Sequence, residues 1–412
     1  MEPIHPVPTL DAAEALVRSV WGYSGFRGPQ RRCVAAVLRG RDCLAVLPTG
    51  GGKSLCYQVP ALLLPHLTLV VSPLISLMQD QVAALRARGV AAAYLSSTQT
   101  PAVQAAVRRL IQTGPLRLLY LAPERLETLP RLLGSRRVSL LAVDEAHCIS
   151  EWGHDFRPHY RRIGQVRALL GGPPTIALTA TATPGTRADI RQVLGLRRPV
   201  EVVTSFDRPN LHFAVQRTKG EGERFAELNR LLRRNADGSI IVYAPTKNGT
   251  DGIAKVLRWQ GLPAAPYHAG LPGSARRALL RRFLSGEIRI MVATTAFGMG
   301  IDKPDVRLVV HMGIPSRPEA YYQEAGRAGR DGRPSRCVLL WREQDLALAA
   351  HFARREPAGA PAPAARAQVE AAQRALATMR TYVSSRRCRR AVLLEYLGEK
   401  LGRCAGCDRC EM

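Results

Sequence analysis

The 412-residue chain lacks any apolar run long enough to cross a bilayer. Its most apolar stretch, 61–78, is broken by Pro65, His66 and Pro73 and reads as a helix end followed by a strand. The first ten residues, MEPIHPVPTL, hold an acid and three prolines where a secretion signal carries bases and an apolar core. These absences predict a cytoplasmic protein with no membrane partner. Lysine is scarce, at six of 59 basic residues, and acids number only 33, which leaves a net charge of +26. A bias toward arginine codons accounts for Arg over Lys but not for the excess of bases over acids. That excess favours a polyanion such as nucleic acid, because neutralising phosphates releases condensed counterions. The hydrophobic share of 46% excludes a disordered chain. The nine cysteines are an odd number with no secretion signal, which argues against a disulfide framework.

What is present is an alternation of short apolar runs and helical patterns. Strands are predicted at 42–47, 67–72, 116–122, 140–144 and 175–179, with helices between them at 77–88 and 102–112. A second series of strands is predicted at 239–243, 264–267, 288–293, 308–311 and 336–340, with the polar segment 204–238 as the join. Such alternation predicts an α/β fold with two mostly parallel, doubly wound lobes of nucleotide-binding type. From Trp341 onward the character changes: PAGAPAPAARA at 357–367 reads as a flexible connector, followed by Arg-rich helical sequence.

Residues 47–54, LPTGGGKS, follow a predicted strand and precede a helix. Thr49, Gly50, Gly51 and Gly52 would wrap backbone N–H groups around phosphate oxygens. Lys53 would reach the β- and γ-phosphates of ATP, and Ser54 would hold Mg²⁺. Leu47 stands where this motif usually begins with glycine. At 140–147, LLAVDEAH, an apolar strand delivers two carboxylates at its C-terminal end. Asp144 would coordinate Mg²⁺ through water, and Glu145 would orient or deprotonate the attacking water. In YYQEAGRAGRDG at 321–332, Arg327 and Arg330 are three apart and would share a helix face. An arginine delivered from a second lobe stabilises charge on the transferred phosphoryl group by roughly 10³–10⁵ in rate.

In this order the segments resemble a superfamily 2 helicase, specifically the RecQ family. The resemblance rests on FRGPQ at 26–30, LPTGGGKS at 47–54, SPLISLMQDQV at 72–82, YLAPERL at 120–126, DEAHCISEWGHDFRPHY at 144–160, ALTATAT at 177–183, YHAGL at 267–271, ATTAFGMGIDKPDVR at 293–307 and the arginine motif. HCISEWGHDFRP is the most specific; DEAD-box RNA helicases lack it. The resemblance implies two tandem RecA-like lobes (1–207 and 208–341) and a helical zinc module (342–412). It implies a DNA-dependent ATPase moving 3′ to 5′ on single-stranded and partly duplex DNA, as a monomer, in repair and recombination. Gln30 would read adenine, with Tyr23 and Arg27 stacking on the base. Thr179 and Thr181 would couple the lobes. Gln323 and Arg330 would face the γ-phosphate, with Arg330 as the finger ahead of Arg327. Ser72, Trp152, Phe156, His268 and Thr294 would lie along the DNA. Two segments depart from the family. Gly28 precedes Pro29 where the family usually has the reverse order, and YAPTK at 243–247 leaves a phosphate contact to Lys247. The chain ends two residues after Cys410. Members that continue carry winged-helix and HRDC domains, so a short form is implied, one that translocates but separates long duplexes weakly.

Cys404, Cys407 and Cys410 are spaced C-x2-C-x2-C, with Cys388 upstream. Four thiolates make a closed tetrahedral Zn²⁺ site; an iron–sulfur cluster uses similar spacing. The resemblance favours zinc. Two other readings are an RNA helicase, against which the aromatic segment argues, and a zinc-stabilised DNA-binding or annealing protein with a vestigial ATP site. Intact Lys53, Asp144, Glu145 and Arg330 argue against the last.

Overall fold

Runs such as Leu67–Val71 (LTLVV) and Val138–Val143 (VSLLAV) are apolar at successive positions, so both sheet faces must be covered, as in parallel sheets. The computed structural model describes residues 8–48, 50–150, 156–235, 237–298, 301–354 and 362–410. It divides into two compact units at Ser205–Phe206.

The first unit holds seven strands: β1 (Cys43–Val46), β2 (Leu67–Val71), β3 (Ala92–Leu95), β4 (Leu118–Leu121), β5 (Val138–Val143), β6 (Thr175–Thr179) and β7 (Val200–Val203). Their order is β3-β4-β2-β5-β6-β1-β7, and every pairing is parallel. All strand C-termini therefore share one edge. Successive residues serve opposite cores: Leu69, Val71, Leu141 and Val143 face one cluster, while Val70, Leu140 and Ala142 face the other. Truncating one such leucine to alanine costs about 2–5 kcal/mol.

The second unit holds β8 (Leu211–Arg217), β9 (Ser239–Tyr243), β10 (Ala264–Tyr267), β11 (Ile290–Ala293), β12 (Val306–Met312) and β13 (Ser335–Trp341). The order is β10-β11-β9-β12-β13-β8, again all parallel.

The predicted strands are all present, and three were missed. β3 and β7 are short edge strands with little sequence signal. The segment 204–238 is not a polar join: it contains β8 and the helix Glu221–Arg234. β8 carries polar residues because it is an edge strand, half-buried along most of its length. Of the expected connector at 357–367, residues 357–361 lie outside the described residues, and 362–367 are corrected, since a helix runs over Ala362–Ser384. Pro363 sits in its first turn, where a missing N–H costs nothing. Ala371, Ala375, Met379 and Tyr382 form its buried stripe, and Met379 and Tyr382 pack into the core of the second sheet. Among the described residues no helix is long and apolar enough to cross a membrane.

Candidate active site and metal centre

The loop after β1 is anchored where Leu47 N–H donates to Thr179 O at 3.0 Å. Gly52 has φ +68°, and a Cβ there would fall 2.3 Å from the Gln30 amide nitrogen, so only glycine fits. Gln30 is buried: its Nε2 donates to Gly51 O (3.0 Å) and Gly52 O (3.1 Å), and its Oε1 accepts from Arg27 N–H (2.9 Å). Its carboxamide thus braces the loop and caps the helix Gly28–Leu38. In this arrangement both ends that would read adenine are engaged by the protein. Arg27 donates to Gly50 O at 3.1 Å, and Tyr23 is 54% exposed, so a flat ligand can reach both. Lys53 Nζ lies 3.3 and 3.4 Å from Leu47 O and Pro48 O, and Ser54 is the N-cap residue of the helix Leu55–Leu63. Thr49 lies outside the described residues.

Two strands away, β5 ends at Asp144 and Glu145. Asp144 N–H donates to Val71 O (2.9 Å), and its carbonyl accepts from the Tyr160 hydroxyl (3.0 Å). Desolvation and then the Glu145 carboxylate push the Asp144 carboxyl up to about 7, against the pull of Lys53 and of the Glu145 N–H, which donates to Oδ1 at 3.0 Å. A carboxyl raised by burial suits a bound divalent cation, which would restore the ionised form. Glu145 has φ 48°, a left-handed conformation that costs a non-glycine residue about 1–3 kcal/mol. His147 Nδ1 lies 3.4 Å from Glu145 Oε2 and 2.8 Å from Thr179 Oγ1. The Thr179 hydroxyl donates in turn to Thr181 O at 3.0 Å. His147 therefore links the acid pair to the end of β6, a role that the sequence reading left unassigned. Arg157 Nη1 donates to Pro73 O (2.9 Å) and so ties the segment after the acid pair to the loop after β2. Phe156 is half-buried beside it, whereas Ser72 is buried, so its side chain meets protein and not a surface path. Trp152 lies outside the described residues.

In the second unit the helix Pro318–Ala325 ends before the arginine pair. Arg327 and Arg330 lie in a turn, not on a helix face as expected, because Gly326 and Gly329 terminate the helix; Gly329 has φ +56°. The turn is held by Arg208, whose Nη2 donates to Ala328 O (3.1 Å) and Gly329 O (2.9 Å), and by Asn210 Nδ2, which donates to Gly329 O (2.8 Å). The triplet Arg208-Pro209-Asn210 was not singled out in the sequence; only its distance in the chain concealed it. Arg330 Nη1 bonds Asp302 Oδ1 at 2.9 Å, and desolvation and then Arg327 lower its pKa. Arg327 is buried beside Gly298, and Gln323 is half-buried on the last helical turn. His268 Nε2 pairs with Asp251 at 3.1 Å, and Thr294 Oγ1 accepts from Ala296 N–H at 3.3 Å. Both follow the C-terminal ends of their strands. Thr246 caps the helix Lys247–Trp259, leaving Lys247 exposed at its start.

Cys388, Cys404, Cys407 and Cys410 place their sulfurs within 4.8 Å of one another, with Cys388 and Cys407 at 3.9 Å. Tetrahedral zinc with Zn–S near ~2.3 Å sets sulfurs about 3.8 Å apart, so the donor set fits that ion. Cys407 bridges to Phe213 of β8, Asp408 N–H donates to Phe213 O (3.0 Å), and Asp408 Oδ2 accepts from Val215 N–H (3.2 Å). Buried Arg389 clamps Asp408 through Nε (2.9 Å) and Nη2 (3.2 Å). Asp408 is the residue that fastens the cluster to the sheet edge.

Known families align with this layout. DEAD/DEAH box helicase matches residues 27–190, Helicase conserved C-terminal domain matches 223–332, and RecQ zinc-binding matches 343–411. The ATP-dependent DNA helicase RecQ of Pasteurella multocida is 42% identical over 412 residues, 98% of this chain and 63% of that protein. The chain belongs to the RecQ family of superfamily 2 helicases. It spans less than two thirds of the length of that RecQ relative. Among solved structures, the DUF1998 helicase MrfA bound to DNA has a TM-score of 0.69 at 21% identity, covering 84% of this chain and 54% of that one. Mss116p bound to ssRNA and AMP-PNP also has a TM-score of 0.69, at 18% identity, covering 95% and 90%. At such identities the likeness is one of fold, shared by DNA-bound and RNA-bound proteins. The RecQ assignment rests on the sequence relatives and on the four-cysteine segment.

Proposed function

We propose that this chain is the motor of an ATP-dependent DNA helicase that hydrolyses ATP on single-stranded DNA and moves 3′ to 5′, in repair and recombination. The observation that carries the reading is the edge shared by β1, β5 and β6: Lys53, Asp144 and Glu145 stand there, linked through His147 to Thr179 and Thr181. Lys53 reaches the β- and γ-phosphates, and Glu145 orients the attacking water. Ser54 and Asp144 would hold Mg²⁺, which supplies charge neutralisation on those phosphates. Arg330, with Gln323 and Arg327 beside it, is the arginine that faces the γ-phosphate. Tyr23 and Arg27 flank the base, and Gln30 must exchange its hold on the loop for the adenine edge. Phe156, Trp152, His268 and Thr294 follow the DNA, and Ser72 supports that path from beneath. The functional division is 1–207 and 208–341 for the two RecA-like lobes and 342–412 for the zinc module, in which four thiolates would hold zinc structurally. The protein acts in the cytoplasm as a monomer.

The test is ATP hydrolysis without nucleic acid, with single-stranded DNA and with RNA, alongside unwinding of 3′- and 5′-tailed duplexes. DNA-stimulated turnover with a 3′-tail requirement is expected. Equal or greater stimulation by RNA would replace this reading with an RNA helicase. Absence of turnover would leave a DNA-binding protein with a vestigial site.

A further inference from the structure

The helix Ile163–Leu169 packs into the core on one face of the first sheet, opposite the face that buries the helix after the phosphate loop. Its last residue, Leu169, is 73% exposed, where a large aliphatic side chain in water has no folding benefit. Two cavities meet at this residue. One, of about 990 Å³, runs past Leu126, Pro158 and Val193; the other, of about 380 Å³, runs past His66, Leu133 and Leu170. Pro130 and Leu169 border both, so the two form one groove with Leu169 at its middle. The rim is cationic: Arg161, Arg162, Arg136 and Arg137 border the groove against the single acid Glu127. An exposed apolar patch within a charged rim marks an interaction surface.

We propose that this groove docks an acidic peptide segment of a partner protein, with one aliphatic or aromatic anchor beside Leu169 and carboxylates on the arginine rim. Arg136 is held rigid by Ile111 O (2.6 Å) and Gly114 O (2.8 Å) and lends its charge to the rim. Arg162 pairs with Glu127, but both side chains are more than half exposed. Such an exposed pair contributes little, so an incoming carboxylate can share the guanidinium. Arg161, at 41% side-chain exposure, stands 3.9 Å from Asp189. Nucleic acid fits the groove less well, because no Phe, Tyr or Trp borders it among the described residues and bases have nothing to stack on. The wall bearing Pro158, Arg161 and Arg162 is the short helix whose Tyr160 hydroxyl donates to Asp144 O at 3.0 Å. A docked segment therefore presses on the support of the acid pair.

The probe is a short fluorescein-labelled peptide with glutamates flanking a Leu-Phe centre, titrated by anisotropy against the full chain. Saturable binding is expected. It should weaken about tenfold or more, ~1.4 kcal/mol, in Leu169→Asp, and likewise in the double variant Arg161→Glu with Arg162→Glu. The same loss is expected when the peptide's glutamates become glutamines or its centre becomes serine. Binding of a single-stranded oligonucleotide should fall far less than peptide binding in both variants. Absence of saturable binding, or equal binding by the variants, overturns the proposal. So does parallel loss of oligonucleotide binding, which would make the groove a nucleic-acid face. Concentration-dependent dimerisation abolished by Leu169→Asp would make the occupant a second copy and overturn it equally.

Discussion

On the proposed reading, Glu145 and Lys53 separate binding from turnover. Lys53→Ala removes the cation proposed to meet the phosphates and should lower nucleotide affinity and abolish hydrolysis. Glu145→Gln removes only water activation, so ATP should bind and remain unhydrolysed, as a filter-binding assay of bound γ-labelled ATP would show. Wild-type turnover in Glu145→Gln would sink the assignment. A second residue-scale case lies outside any motif. Arg167 is buried on Asp42, with Nη2 2.8 and 2.9 Å from the two carboxylate oxygens, while Thr175 N–H and Arg197 N–H donate to the same oxygens. The pair ties the starts of β1 and β6 to the helix Ile163–Leu169. Arg167→Ala leaves a buried carboxylate without its counter-ion and should cost about 3–5 kcal/mol in urea unfolding. A loss under about 1 kcal/mol would mean that the two N–H donors suffice.

Elements of the second unit are joined by contacts that should respond to pH and to a metal bound by the four cysteines. Glu319, at the start of the helix Pro318–Ala325, is 5% exposed; one oxygen accepts from the Tyr396 hydroxyl at 2.8 Å, and the other has no partner among the described residues. Burial raises its pKa, while its own backbone, Tyr396 and Arg317 act the other way. Above about pH 4.5 the unfolded chain gives up this proton while the folded chain keeps it. Its contribution is thus complete below that pH and is lost as pH rises through the folded value. Glu319→Gln should make the melting temperature fall less between pH 4.5 and 7; parallel curves would remove Glu319 from the account. The four-cysteine segment joins elements by another route. Cys404→Ser should yield protein without its metal, poorly soluble, with faster hydrogen exchange at Val215, whose N–H is held by Asp408. Wild-type protein should carry one zinc per chain and no visible absorbance. A brown colour would indicate iron and sulfide.

At the scale of the whole molecule the net charge of +26 should govern the proposed association with DNA. Binding should be mainly electrostatic, with log K falling linearly against log salt and little dependence on sequence. A several-fold rise in salt, from about 50 to 200 mM, should weaken it by about 10³ or more for six or so neutralised phosphates. A flat salt response would show that stacking and apolar contacts dominate. The groove at Leu169 lies on the other face of the first sheet from the helix that follows the phosphate loop, so a protein partner and ATP need not compete.

Much of this was determined by the sequence alone. Glycine spacing before Lys53, an acid pair after an apolar strand and a C-x2-C-x2-C run are local chemistry, and local chemistry survives in one dimension. The strands Thr175–Thr179, Ser239–Tyr243 and Ala264–Tyr267 were legible to the residue because each is an apolar run bounded by breakers. Tertiary structure decided what depends on partners distant in the chain. β8 looks polar until β13 and Cys407 flank it. The arginine pair leaves the helix because Gly329 must admit Asn210, 119 residues away. Gln30 turns to the phosphate loop, Asp42 finds Arg167, and Leu169 stays in water between two cavities. No periodicity encodes these contacts, because each arises from the packing of elements whose separation along the chain carries no signal.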